Sequence, residues 1–499
     1  MSEGAAARTR LADAIAWGPA AVARSHRLHR PRGGWCARGS CQQCPLPLGG
    51  GLACETPPTD GSAPRPAFDP IRPLGLIGER MEPWFYEHRF LRPRWARQLA
   101  LGALRRLSAA PQLPTSAAER TTRGADLRCE VLVVGAGPAG RGAAATIAGD
   151  ANVAIVSRAR FGGSLALHGR SGTDDKARLE RAGAAILPDT VCLGYFGEGR
   201  FLVLGPEGLR EIRADRVVVA TGAYDRPLLV PGVDLPGVIG GRAFAALAAQ
   251  GAFVQRHRIV VFGRPSEIAR AVSAAEDAGV ELTWVGGPDE ARPTRLLEIR
   301  GRRRARGVRF DDGPDRAADV VVLGFTQPTY ELQLMLGQTA TLAGTPPTIA
   351  TTGPTELPML VVGEAAGDAG EGIRERAAAA AAAWLADPAS VSPASPTPAG
   401  APATGPPAPD AVVCSCEDVR VRDVDAAIAD GFDHPELLKR RTGAATGPCQ
   451  GKLCLPLVAE LLELRRLPVT LPTVRPPIRP VAIADLAPAN PRPASEGSA

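Results

Sequence analysis

The chain has 499 residues, 45% of them hydrophobic and 4% aromatic, with 58 Lys and Arg against 52 Asp and Glu for a net charge of +6. That length supports two to four domains with sizeable cores. No run of about 18 or more apolar residues occurs, so no membrane span is expected, and the N-terminus lacks the apolar core of a signal peptide. The positive excess is spread along the chain as arginine. Its densest run, Arg300 to Arg306, reads as a solvated surface loop and not as a nucleic-acid site. The 10 cysteines are grouped, which points to metal ligation in a reducing cytoplasm over a secreted disulfide framework.

In chain order the first cluster is Cys36, Cys41 and Cys44, with Cys54 following. C-x4-C-x2-C plus a more distant cysteine is the plant-type [2Fe–2S] spacing. Zinc is the rival, but its sites favour paired C-x2–4-C knuckles. The stretch from Arg24 through Gly61 resembles the small [2Fe–2S] β-grasp module of sarcosine-oxidase-like and opine- or hydroxyproline-dehydrogenase-like complexes. Trp84 to Trp95 resembles the connector after that module in sarcosine oxidase α-type chains. Only about 30 residues precede Arg32, so the β-grasp is expected to be truncated, lacking most of its opening hairpin.

The centre of the chain is Cys129 to Ser157: a β-forming run from Val131 to Val134, then Gly135-x-Gly137-x-x-Gly140, an Ala-rich helical stretch and a second apolar run from Val153 to Val156. Strand, glycine turn, helix and strand form the unit that seats a dinucleotide pyrophosphate on a helix N-terminus. Gly135 allows the turn, Gly137 the approach of the phosphate, and Gly140 the close packing of helix on strand. Gly163 in the following Phe161-Gly-Gly-Ser164 stretch joins the candidate set. The acid that ordinarily meets the adenosine ribose is replaced by Ser157-Arg158.

Ala220 to Val238, with Thr221 and Gly222 in an ATG turn, is similar to two-dinucleotide flavoproteins, where this turn marks the passage between nucleotide domains. Leu360 to Ile373 resembles their last flavin motif. There the resemblance implies that the residue after Gly363 contacts the ribityl chain, and Glu364 stands where aspartate is more usual. Between these lies a second strand–turn–helix–strand unit from Arg258, of whose glycine triad only Gly263 remains. A nucleotide fold that has lost its ligand is the favoured reading there, which leaves NAD(P) doubtful.

Residues 387–411 are rich in Pro and Ala and read as a linker, and 467–499 as a disordered tail. Between them, Cys414, Cys416, Cys449 and Cys454 flank a helix–turn–helix pattern. This stretch closely resembles the helical [2Fe–2S] domain of bacterioferritin-associated ferredoxins, which implies that the four cysteines bind a cluster. Cys129 and Cys192 are left over and read as buried small residues.

The expected fold is therefore α/β, a Rossmann-like core of two dinucleotide-binding domains with a cluster module at each end. Residues 1–65 form the first module, 66–126 a connector, 127–386 the core with its second nucleotide subdomain at about 225–320, and 412–466 the helical domain. Taken together, the parts resemble the α-type subunit of heteromeric amine or imino-acid dehydrogenases and oxidases. The resemblance implies FAD, two [2Fe–2S] clusters, and electrons received from a partner FAD subunit of the D-amino-acid-oxidase type. No catalytic acid, base or nucleophile is identified. An autonomous NAD(P)H-dependent reductase and a non-catalytic scaffold with a degenerate flavin site are the alternatives.

Overall fold

A computed structural model of the chain describes residues 9–17, 21–25, 27–46, 51–58, 123–158, 161–162, 173–253, 257–286, 293–388 and 403–486. Gly163, most of the connector and residues 389–402 of the linker lie outside them.

The strand Leu127–Val134 is buried on both faces from Val131 onward, which is why its sequence is continuously apolar instead of alternating. It pairs in parallel with Val153–Val156 on one side and with Gly208–Val219 on the other. The sheet runs in the order 185–187, 153–156, 127–134, 208–219, 200–205 and 191–195, and Met359–Val361 adds to Gly208–Val219 as a seventh strand. On one face lies the helix Pro138–Ile147, packed against Ile373–Ala386. The two backbones meet closely because Gly142 has no side chain: a Cβ there would lie 2.4 Å from the Arg374 carbonyl oxygen. Buried Asp175 accepts from Arg141 at 3.3 Å and from Arg374 Nε at 3.0 Å, tying three helices together.

The second unit is a four-stranded parallel sheet in the order Val238–Gly240, Val320–Gly324, Ile259–Gly263 and Leu282–Val285. Helices Gly241–Ala248 and Pro265–Asp277 belong to it, and Phe244, Leu247, Ile268 and Ala271 enter its core. A three-stranded antiparallel sheet, 296–301, 305–310 and 316–317, flanks it. The arginine run lies in this sheet's first hairpin, where exposed Arg300 pairs with Glu298 and Asp315. The antiparallel pair Ala223–Asp225 and Thr326–Pro328 joins the two units.

Among the described residues of the N-terminal module are the cysteine loop, a two-residue ladder, Ala23–Arg24 against Pro31–Arg32, and an antiparallel bridge from Pro45 to Leu52. Its apolar residues pack elsewhere. Leu11, Ala12 and Ile15 of the helix Arg10–Trp17 pack into the second unit's core, and Trp35 Nε1 donates to the Asp225 carbonyl at 3.0 Å. The module is thus stabilised by docking.

The C-terminal domain follows the expected helix–turn–helix, Val421–Ala429 and Pro435–Thr442, and adds Leu455–Leu464. His434 caps the second helix by accepting from the Glu436 N–H at 3.2 Å, Pro435 opens it, and Gly443 at φ 81° ends it. The domain is seated on the core. Arg226, fully buried, donates to Glu460 at 2.6 Å, and Leu229 enters the domain's own core. The end of the expected linker is also seated, since the Leu296 N–H donates to Ala403 O at 3.0 Å.

The expected tail differs over 467–486. Leu467 and Val469 pack on the helical domain, and the Ile478 N–H donates to Leu193 O at 2.9 Å. Gln450 donates to Pro477 O at 2.9 Å, and Lys452 Nζ to Ile478 O at 2.5 Å. The proline-rich composition suggested an unpacked segment, but prolines also give a stiff extended strap that loses little entropy on docking.

Candidate functional site

The glycine turn has the geometry its sequence requires. Gly135 adopts φ +113°, and a Cβ on it would strike Ala220 O at 2.2 Å. A Cβ on Gly140 would strike Gly135 O at 1.9 Å. Gly137 differs, with open space where its Cβ would point. It is the N-cap of Pro138–Ile147, and no side chain caps the helix's free N–H groups. An uncapped helix N-terminus above a glycine is a cradle for a pyrophosphate.

Beside the turn is a cavity of about 210 Å³. Val134 and Gly135 line it from the first strand and Val156 and Arg158 from the second, with Thr221, Ala223 and Tyr224 from the ATG turn. Distant parts of the chain also line it, among them Arg38 to Ser40 and Gln42 of the first cysteine loop, Pro448 and Lys452 of the last, and Ile478 to Pro480 of the strap. One cavity therefore touches the dinucleotide turn and both cysteine loops.

At the expected ribose position Ser157 is buried, held through its backbone: its N–H donates to Leu187 O at 3.0 Å and its carbonyl accepts from Thr190 N at 2.7 Å. Arg158 is exposed and reaches the cavity. Gly222 adopts φ +76°, and the Thr221 hydroxyl lies 2.6 Å from that of Thr329. Gly363 adopts φ +68° and abuts Ala139 of the glycine-turn helix, so the last flavin motif stands beside the first. Glu364 pairs with Arg242 at 2.8 Å and with Arg270 at 3.7 Å. Burial alone would raise the pKa of Glu364, but Arg242, Arg270 and Arg38 overcome it and hold the carboxyl below its usual range.

Each set of four cysteines is buried and gathered. In the C-terminal set Cys416 and Cys449 Sγ are 3.5 Å apart, and Cys414 is hydrogen-bonded to Cys416 and Cys454. In the N-terminal set all four thiols are free, with Cys36 in hydrogen-bonding contact with Cys41 and Cys44 with Cys54. Peptide N–H groups point at sulfur: Arg38 and Cys41 donate to Cys36 at 3.4 and 3.3 Å, and Gly39 donates to Cys54 at 3.2 Å. The hydrogen bond from Cys41, against the cost of burial, brings Cys36 down to about 5, while Cys41 and Cys54 are pushed up. Crowded thiols divide protons in this way, because adjacent thiolates repel unless a cation lies between them. Among the described residues no three His, Cys, Asp or Glu donors are placed to hold a single metal ion. The all-sulfur donor sets fit iron–sulfur ligation, in which N–H···S bonds also tune the centre.

Several lining residues carried little sequence signal. Arg242 and Glu331 belong to no motif, and Arg38 and Tyr224 are unspecified positions inside theirs. Tyr224 donates to Glu331 at 2.9 Å, and Lys452 lies 3.8 Å from the same carboxylate. Lys452 had one cue: a lysine in an arginine-dominated chain, set between two cysteines of a loop. In the second unit the helix Pro265–Asp277 begins with Arg264 and carries buried Glu267 in its first turn. A carboxylate in that first turn disfavours the anion that a pyrophosphate would bring to the helix end, and burial raises it to about 7 despite Arg264. Gly263 is retained for packing, since a Cβ on it would lie 2.4 Å from Gly324 O.

Residues 129–286 match the family described as pyridine nucleotide-disulphide oxidoreductase, and 409–490 match the sarcosine oxidase A3 domain. The chain is 28% identical to the A subunit of opine oxidase from Agrobacterium tumefaciens (strain Ach5), over 56% of this chain and 70% of that protein. It is 25% identical to the alpha subunit of sarcosine oxidase from Rhizobium meliloti (strain 1021), over 58% of this chain but 33% of that longer protein. The solved structure of L-proline dehydrogenase from P. horikoshii overlays with a TM-score of 0.56 at 23% identity, covering 74% of this chain and 81% of that one, and shows the shared fold. Over these stretches the chain is similar to the α-type subunits of opine oxidase and sarcosine oxidase.

Proposed function

We propose that this chain is the electron-transfer subunit of a heteromeric dehydrogenase or oxidase acting on CH–NH donors, amines or imino acids of the sarcosine, opine, proline or hydroxyproline kind. In this reading FAD occupies the cavity at Gly135–Gly140. One [2Fe–2S] cluster is held by Cys36, Cys41, Cys44 and Cys54, and a second by Cys414, Cys416, Cys449 and Cys454. A separate FAD subunit of the D-amino-acid-oxidase type takes the substrate electrons, and the assembly works in the cytoplasm. The observation that carries the proposal is the single cavity bordered by the glycine turn and by both cysteine loops.

A bound flavin accepts two electrons together, and an iron–sulfur centre passes them singly. The chain's own residues prepare the site for that exchange. The free N–H groups in the first turn of the helix that follows Gly137 would receive the pyrophosphate. Glu364, kept ionised by Arg242 and Arg270, offers an acceptor toward the ribityl hydroxyls. Lys452 places a buried cation on the wall shared with the last cysteine loop. Among the described residues no lining acid or base is free for substrate chemistry in the way a catalytic pair would be: Glu331 is engaged by Tyr224 and Lys452. That suits relay better than turnover.

An anaerobic visible spectrum with flavin, iron and sulfide content is the test. One flavin and about four irons per chain, two for each [2Fe–2S] centre, are expected. Addition of the amine substrate should bleach the flavin only when the partner protein is present. Bound zinc, absence of flavin, or full amine turnover by this chain alone would overturn the proposal.

A further inference from the structure

The strap has no role in any of the motifs, yet three of its residues, Ile478, Arg479 and Pro480, form part of the cavity wall. It is fixed from three directions. Ile478 N–H is bonded to Leu193 O in the core sheet, Ile478 O accepts from Lys452 Nζ in the C-terminal domain, and Arg479 Nη2 lies 3.9 Å from Glu55 beside Cys54. These anchors aim Arg479 at the cavity, opposite the strand end that carries Arg158.

We propose that Arg479 and Arg158 together hold the anionic pyrophosphate of the dinucleotide, so that the strap is a binding wall of the cofactor site. This rests on the reading that the cavity takes FAD. The electrostatics ask for an anion. Among the described lining residues, Arg38, Arg158, Arg242, Lys452 and Arg479 stand against the single carboxylate of Glu331. Burial, then the charge of Arg158, depress the pKa of Arg479, and Glu55 at 3.9 Å compensates only in part. A diphosphate between two guanidiniums relieves that repulsion and accepts paired N–H···O bonds, for which arginine is the suited side chain. The arrangement also accounts for the lost ribose acid. A carboxylate at position 157 or 158 would neutralise the cation pair, so affinity moves from the ribose hydroxyls to the phosphates.

Fluorescence titration of the deflavinated full-length protein with FAD provides the test, alongside flavin content after gel filtration. Arg479→Gln is expected to weaken FAD binding about tenfold or more, as for loss of a charge-assisted hydrogen bond. Arg479→Lys should retain part of the affinity, and Arg158→Ala should weaken binding comparably. Arg475→Ala, on the exposed side of the strap, should bind as wild type. Unchanged or tighter binding in folded Arg479→Gln and Arg158→Ala overturns the strap proposal while leaving FAD in the cavity. Failure of the wild-type protein to bind FAD overturns the cavity reading and this inference with it.

Discussion

Arg32 carries more of the architecture than its place in an ordinary loop suggests. It is 2% exposed and pairs at once with Asp418 of the C-terminal domain and Asp234 of the core, while its Nε donates to Ser415 O at 3.1 Å. Ser415 stands between Cys414 and Cys416, and Arg32 itself lies shortly before Cys36. One guanidinium therefore locks three parts of the molecule and touches the C-terminal cysteine loop. Removing a single partner from a buried pair strands the opposing charges, at a cost of about 3–5 kcal/mol. Arg32→Ala is expected to lower stability by that order and to loosen the C-terminal cysteine loop. Denaturant unfolding together with iron content reads both effects. A variant as stable as wild type with full iron would show that the pair is dispensable.

At the scale of elements, the second nucleotide unit keeps the strand–helix–strand frame and loses the ligand end. Glu267, buried at the start of Pro265–Asp277, makes the difference measurable. Its folded pKa, raised by burial to about 7, lies above that of the unfolded chain. The folded state thus binds the proton more tightly, and the associated stability is complete below the ordinary glutamate range and is lost as pH rises through about 7. Glu267→Gln removes that dependence. It is expected to stabilise the protein by about 1–3 kcal/mol at pH 8, with little change near pH 4, in unfolding curves taken at both pH values. A stabilisation that is independent of pH would mean that folding leaves the pKa of Glu267 unshifted. The same geometry predicts that NADH and NADPH leave the flavin oxidised, since their pyrophosphate meets a carboxylate where it needs free N–H groups. Fast bleaching in a stopped-flow spectrum would restore the reductase alternative.

These elements also show what a sequence makes legible. The glycine turn, the buried strands and the two helices of the last domain were readable because local rules set them: Gly135 and Gly140 cannot bear a Cβ, and Pro435 and Gly443 punctuate a helix. The cysteine sets were readable as spacing. The walls of the cavity were not, because Arg38, Lys452 and Arg479 come from distant parts of the sequence and meet only in the folded chain. The strap escapes a reading of composition for a related reason: composition reports how much apolar surface a segment has, but not whether stiff backbone finds carbonyl and N–H partners on a neighbour. The β-grasp was likewise short of its own core because its apolar helix packs against another domain.

For the molecule as a whole, the two cysteine loops approach one cavity from opposite ends of the sequence, and apart from the Arg32 bridge each has a separate main support. The N-terminal loop is supported by the second nucleotide unit through Trp35 and Leu11. The C-terminal loop is supported by its own helices and by the Arg226–Glu460 pair. Separate supports predict separable centres. Cys449→Ser removes one sulfur of the pair at 3.5 Å and should cost about half of the iron, two atoms of four if each set holds a [2Fe–2S] centre. The flavin and the other cluster's paramagnetic signal after dithionite reduction should persist. Cys44→Ser should do the reverse, since Cys44 and Cys54 are paired in the other loop. Iron and sulfide assays with low-temperature electron paramagnetic resonance distinguish the outcomes. Loss of all iron from either variant would mean that the two sets depend on each other through Arg32, and no loss from Cys449→Ser would remove the C-terminal set from the ligands. The expected pattern, one signal lost and flavin kept in each variant, makes the cavity a junction with two independent exits for electrons.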